Sequence, residues 1–288
     1  MTQVSATITA VPYRVTSIRR FFRQPRAIAA CCLIAAAGLT AIIGPGVAVH
    51  DPNAPDFEQL LAAPSAAHLF GTDELGRDLL ARVAAAVRTS VLVSGTSVSI
   101  ALCAGTAAGL IAGFLGRIPD LVLMLVCDVT FAIPGILLAL AIAAIAGPGT
   151  FNVIIAISIV NTPVFARIAR SQTLVVSQRG FVLAARAIGF GQLHVMFRTV
   201  LPNILPVILA QASLMYASAM ITESYLSFLG LGIQPPTPTL GGLLHESLGF
   251  LSLAQWLVWC PGIVIFMIVL GFNWLGDGLQ DWLDPTSI

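Results

Sequence analysis

The sequence contains no lysine; all fourteen of its basic residues are arginine. A Walker A phosphate loop needs a lysine to reach the β- and γ-phosphates, so this chain holds no nucleotide through a P-loop. Schiff-base and lysine-base chemistry are excluded with it. If ATP drives anything here, another polypeptide binds it. Charge of either sign is scarce as well. Only 9% of the 288 residues are charged, against about 25% in ordinary soluble domains. With 57% hydrophobic residues and a mean hydropathy of +0.94, the composition is that of an integral membrane protein.

Other absences narrow the chemistry. The five cysteines, Cys31, Cys32, Cys103, Cys127 and Cys260, all fall inside apolar runs. They lack the spacing of a zinc site or a disulfide framework and read as small hydrophobes. The four histidines, His50, His68, His194 and His245, are scattered along the chain and suggest no metal site. There is no HExxH, no span carries paired carboxylates, and "GTS" at 95–97 is not a GxSxG elbow. An intramembrane enzyme is therefore a poor reading. No internal inverted repeat is visible, which removes the usual support for an ion-driven secondary transporter.

What is present is a set of apolar runs. A helix needs about twenty such residues to cross the hydrocarbon core. Six candidates occur, at 27–49, 90–114, 121–145, 151–168, 203–229 and 253–275. The fourth is short and contains Asn161 and Pro163; Pro134 and Gly135 are expected to bend the third. The first follows a basic 26-residue segment and is longer than a signal-peptide core, so it reads as a retained helix. Arginine placement sets the orientation. With the N-terminus inside, eleven arginines lie in the cytoplasm (14, 19, 20, 23, 26, 117, 167, 170, 179, 186 and 198) and only Arg77, Arg82 and Arg88 lie outside. Both termini are then cytoplasmic. Trp256 and Trp259 at one end of the last span, and Trp274 and Trp282 at the other, suit interfacial anchors.

Three non-spanning stretches stand out. The outer segment 50–89 contains "GTDELGRDLLARVAAAVR", in which Thr72 or Asp73 is a candidate helix cap. Leu75, Leu79 and Val83 share one face there, which predicts an amphipathic helix at the outer interface. A second outer loop, "GLGIQPPTPTLGGLLHESLG", is broken by paired prolines. The third stretch, "FVLAARAIGFGQLHVMFRTVLP" at 181–202, lies inside. It predicts two short helices over 181–198, bent at Gly189 and Gly191, with Leu201 and Pro202 turning the chain into the next span. Composition alone fits either an interfacial helix held by anionic lipid or a docking element for a cytoplasmic motor. Two carboxylates fall within spans, Asp128 and Glu223. Each must face water or protein: either the translocation path, where a peptide amino group is a candidate guest, or a hydrogen bond between helices.

Residues 184–202 resemble the cytoplasmic EAA motif of ABC importer permeases. Ala184, Ala185, Gly189, Leu201 and Pro202 match at the motif's spacing, while Leu183 replaces its glutamate and Thr199 its isoleucine. "GTDELGRDLLARV" at 71–83, "GPGTFNVIIAI" at 147–157, "ESYLSFLGLGIQPPTPTLGGLL" at 223–244 and "FNWLGDGLQDWLDP" at 272–285 resemble, in the same order, the C-type subunit of the dipeptide/oligopeptide permease family. This resemblance covers roughly 68–285 and leaves the N-terminal 26 residues outside it.

It implies an all-α, six-span type I ABC importer permease in a bacterial plasma membrane. The domain plan is then a cytoplasmic tail over 1–26, a first helix over 27–49, the external segment 50–89, a five-helix core over 90–276 and a cytoplasmic tail over 277–288. The implied partners are a second, paralogous permease subunit, two cytoplasmic ATPases or one fused ATPase, and an external binding protein, with no nucleic acid. The chain carries no cofactor and is not itself an enzyme; ATP and Mg²⁺ belong to the ATPases. Phe181, Ala184, Ala185, Arg186, Gly189, Leu201 and Pro202 are the implied ATPase-docking residues. Peptide is the expected substrate, with nickel chelates or other small solutes as the alternative.

Overall fold

A computed structural model describes residues 24–47 and 50–283. The N-terminal tail up to residue 23 and the last five residues lie outside the described part. Among the described residues nine helices follow one another: α1 (Pro25–Val47), α2 (Leu79–Leu115), α3 (Arg117–Phe131), α4 (Gly135–Ala146), α5 (Thr150–Ser177), α6 (Gly180–Ala187), α7 (Gln192–Phe228), α8 (Leu240–Glu246) and α9 (Trp256–Leu283). The one β pairing among the described residues is an isolated bridge between Thr72 and Asp78. Helices α1, α2, α5, α7 and α9 are each long and apolar enough to cross a membrane, and α3 with α4 supplies a sixth, bent crossing.

The centre of the bundle is the contact between α2 and α5, and glycine makes it. Gly105, Gly109 and Gly113 recur every fourth residue and so form one stripe along α2. A Cβ placed on Gly109 would stand 2.2 Å from the carbonyl oxygen of Ala166. One on Gly105 would stand 2.5 Å from that of Thr162, and one on Gly113 2.8 Å from that of Arg170. No other residue lets the two backbones come this close. In a bilayer, where lipid tails are as apolar as leucine, such packing contacts drive helix association. Around the stripe lie the buried side chains of Val98, Leu110, Ile157 and Phe165.

The expected third span is two helices set at 88° to each other. Pro134 has no N–H to continue α3 and restricts Ile133 to extended backbone, so the helix ends at Phe131 and restarts at Gly135. The fourth span is not short: α5 runs to Ser177, nine residues beyond the apolar run. Arg167 and Arg170 therefore sit within a helix and not in the following connection. Pro163 lies inside α5, buried in the bundle, without ending the helix.

Two further expectations change. The outer segment holds no separate amphipathic helix. Helix α2 is 37 residues long, about 55 Å, and projects well beyond a 30 Å hydrocarbon core. Its first turns are buried in protein, with Leu79, Val83 and Arg82 all within the core. Asp78 caps it, its carboxylate accepting the N–H of Ala81 at 2.8 Å, in place of Thr72 or Asp73. At the other end of the chain, α9 continues to Leu283, so the expected tail from 277 begins inside a helix.

Replacing Gly109 with valine drives a branched side chain into the α5 backbone. The expected outcome is a loss of about 3 kcal/mol or more, read as a lower yield of monodisperse protein in detergent and a lower denaturation temperature. Gly38→Ala on α1, where nothing lies within 4 Å of the new methyl group, is expected to leave both unchanged.

Candidate functional site

The two ends of α2 carry the two polar assemblies of the molecule. At its C-terminal end lies 178–200. Helix α6 spans Gly180–Ala187, and the chain breaks over 188–191. Gly189 has φ +96°, a left-handed conformation that glycine adopts without strain. The second expected short helix is not separate. From Gln192 the helix runs unbroken into α7, so Leu201 and Pro202 make no turn. A π-helical stretch over Val195–Val200 accounts for this: the N–H of Leu201 reaches back to the carbonyl of Met196. Pro202 then falls in the first turn of regular helix, where its missing N–H costs little.

The segment has a buried side and an apolar exposed crest. Val182, Val195 and Val200 are fully buried, Met196 nearly so, and Ala185 packs against the same core. Phe181, Leu183, Ile188, Phe190, Leu193 and Phe197 are all exposed, Ile188 at 77% and Leu193 at 70%. Ala184 and Gly189 are exposed between them, and nothing lies within 4 Å of a Cβ on Gly189. Arg186 lays its guanidinium 4.9 Å over the ring of Phe114 at the end of α2, and Phe190 stacks on His194 at 4.6 Å. Phe114, Leu115, Arg186, Phe190 and Gln192 enclose a polar recess of about 390 Å³.

The two spanning carboxylates part company. Glu223 is completely buried; Ser227 Oγ donates to its Oε1 at 2.8 Å, and its Oε2 has no hydrogen-bond partner among the described residues. Helix α8 covers this face, with Gly241 pressed against the backbone of Ser224. Glu223 is therefore enclosed by protein in this conformation, and the hydrogen bond it makes stays within its own helix instead of linking two helices. Asp128, near the end of α3, is exposed. Its Oδ1 accepts Arg167 Nη2 at 2.7 Å, and the Arg167 guanidinium lies 4.1 Å over the ring of Phe131. Two turns earlier on α3, Asp120 binds Arg170 through both of its oxygens.

At the N-terminal end of α2 the "GTDELGRD" stretch is a wound turn. Asp73 Oδ1 accepts the N–H groups of Leu75 and Arg77, each at 2.9 Å. Its Oδ2 accepts Arg77 Nε at 2.7 Å and Arg82 Nη1 at 2.5 Å. Arg82, 1% exposed, also reaches Glu246 Oε2 on α8 at 2.8 Å. Arg77 Nη2 donates to Glu74 at 3.0 Å. Burial holds the Glu74 carboxyl above its usual range despite this neighbour. Trp256, expected as an interfacial anchor, instead donates its indole N–H to the carbonyl of Thr72 at 3.2 Å. The fold also gathers histidines that are distant in sequence. His50 and His68 have ring centroids 4.9 Å apart, and His68 Nδ1 lies 2.9 Å from Asp78 Oδ1. These three residues could present metal-ligand atoms together, but Asp78 is already committed to His68 and to capping α2.

The fold and these two poles define a multi-pass α-helical membrane protein built around a broken span and a polar elbow. Residues 105–287 match the model of the binding-protein-dependent transport system inner membrane component, and residues 14–64 that of the N-terminal TM domain of oligopeptide transport permease C. The chain belongs to this family of ABC transport permeases. The likeness thus begins well before residue 68, inside the tail expected to lie outside it. Dipeptide transport system permease protein DppC of Alkalihalophilus pseudofirmus is 41% identical over 275 residues, 94% of this chain and 90% of that protein. Di/tripeptide transport system permease protein DppC of Pseudomonas aeruginosa is 43% identical over 251 residues, 85% and 83% of the two chains. Glutathione transport system permease protein GsiD of Pectobacterium atrosepticum is 40% identical over 268 residues, 93% and 89%. As a member of this family the chain is a transport subunit that works with ATPase and binding-protein partners.

Arg82→Met leaves the buried carboxylate of Asp73 with one cation fewer. A cost of about 3–5 kcal/mol is expected, measured as a fall in denaturation temperature in detergent. Arg88→Met, at an exposed position of the same helix, is the control expected to change little.

Proposed function

We propose that this chain is one of two paralogous permease subunits of an ATP-driven peptide importer, and that 181–198 is its seat on an ATPase. In this reading the complex sits in the bacterial inner membrane with both termini of the chain cytoplasmic. ATP and Mg²⁺ are held by two ATPase subunits or one fused ATPase, and an external binding protein delivers the peptide. The peptide assignment follows the names of the relatives, each of which transports dipeptides, tripeptides or glutathione.

The observation that carries the docking proposal is the apolar crest around α6. Six large hydrophobic side chains stand exposed on a polar elbow that caps the bundle. Contiguous exposed apolar patches mark interaction surfaces. Ala184 and Gly189 leave the crest low, so a partner groove can close over it. The geometry also suits force transmission. Helix α6 follows α5 after two residues, and the break over 188–191 leads straight into α7. Val182 and Val195 are fully buried, so movement of α6 loads both long helices at once. Closing of the ATPase pair then displaces α6, and α5 and α7 carry that displacement to the path beside Asp128.

Ala184→Trp tests the seat better than a change at Gly189, where φ +96° strains any side chain regardless of partner. The tryptophan would stand on the exposed face of a regular helix. The variant is expected to insert and to copurify with the other permease, but to lose the ATPase and all uptake. Normal ATPase recovery with Ala184→Trp would show that the seat lies elsewhere.

A further inference from the structure

The two ion pairs between α3 and α5 differ in a way that separates their roles. Asp120 and Arg170 meet fork to fork, both carboxylate oxygens used, with side chains 22% and 35% exposed. That is a clamp. Asp128 and Arg167 share one hydrogen bond at 2.7 Å, with side chains 61% and 49% exposed. Among the described residues nothing else accepts from Arg167 or donates to Asp128 Oδ2. Arg167 lies ten residues, about 15 Å, inside the C-terminal end of α5. Arg167 stands at the end of the apolar run, where a charge facing acyl chains would be costly, so this face meets water, headgroups or protein. Asp128 also lies within one turn of the 88° break between α3 and α4.

We infer that Asp128 and Arg167 form an exchangeable ion pair that opens for a zwitterionic peptide, Asp128 taking the α-ammonium and Arg167 the α-carboxylate. This rests on the peptide reading above and names the residues that recognise the substrate's ends. A half-satisfied pair leaves one carboxylate oxygen and several N–H donors for a guest, which a bidentate pair does not. Phe131 braces the guanidinium from its other face, so Arg167 keeps a partner while Asp128 turns away. Two extended residues span about 7 Å, a gap that rotation of the arginine stem can open. Once the peptide has passed, the pair recloses. The path then holds no unpaired charge, and a lone inorganic ion meets a repelling group on one side.

The test uses the whole complex in proteoliposomes, with dipeptides that the binding protein is first shown to hold, either free or amidated at the C-terminus. Asp128→Asn and Arg167→Gln are each expected to cut uptake of the free dipeptide by about tenfold or more, the loss of one charge-assisted hydrogen bond. Stimulation of ATP hydrolysis by loaded binding protein should persist. Arg167→Gln should leave uptake of the amidated dipeptide at its wild-type level. The double variant Asp128→Asn, Arg167→Gln, which removes both charges together, should be no better than either single variant. Recovery of free-dipeptide uptake in the double variant would reduce the pair to structural glue and overturn the inference. An equal loss with free and amidated dipeptide in Arg167→Gln would do the same. Absence of any dipeptide uptake by the wild-type complex would instead overturn the peptide reading on which the inference stands.

Discussion

The close approach of α2 to α5 along Gly105, Gly109 and Gly113 is the constraint from which the rest of the molecule takes its bearings. Backbone lies on backbone there, so neither helix can rotate about its axis without a clash. Fixing the rotation of α5 decides where every side chain on it points. The carbonyls of Thr162, Ala166 and Arg170 face the stripe. Arg167 and Arg170 extend from the flank of that face and find Asp128 and Asp120 on α3. The two-pronged Asp120–Arg170 pair holds helix α3 beside α5, although Pro134 denies it a straight continuation. The same fixed helix ends at Ser177 and hands its direction to α6. The position of the apolar crest around α6 is thus inherited from three glycines more than sixty residues earlier in the chain.

The opposite end of α2 is held by charge. Asp73, Arg77, Arg82, Glu74 and Glu246 join the outer segment, the first turns of α2 and the end of α8. Burying so many charges costs several kcal/mol per ion before the pairs form, so net stability is a weak reason for the arrangement. Register is a better one. An apolar contact between the outer segment and α8 tolerates sliding. A carboxylate that must meet two guanidinium groups and two backbone N–H groups does not. Helix α2 is therefore pinned by shape along its C-terminal third and by charge at its N-terminal end. A rod held in this way turns movement at one end into strain at the other.

Much of this was legible in the sequence, and the failures share a cause. Apolar runs placed six crossings, five straight and one bent, because bilayer thickness sets their length. They misjudged α5 because hydropathy reads a charged residue as the end of a span, whereas Arg167 and Arg170 are neutralised by acids on another helix. They split α2 from its first turns for the same reason: Arg82 looks like a surface residue until Asp73 and Glu246 are brought to it. Pro202 looked like a turn because local chemistry allows one. The π-helical stretch before it absorbs the missing donor, and no sequence signal announces that. The spacing of the three glycines was visible all along; what it lacked was knowledge of the partner helix.

Leu183 makes the same point about the proposed docking surface. The resemblance assigns a glutamate to this position, so its loss asks whether the contact becomes apolar or borrows charge from Arg179 or Arg186. The fold answers part of that question. Arg186 is turned across the ring of Phe114 at 4.9 Å and is engaged with α2. Leu183 is 53% exposed beside Phe181 and Ile188, which are exposed with it. Leaving that much apolar surface in water is unfavourable by about 25 cal/mol per Å², and covering it recovers the same amount. A partner groove lined by apolar side chains would therefore gain from Leu183 what a charged groove gains from a glutamate. At the proposed seat, a groove that presents a buried cation would meet a leucine it cannot pair.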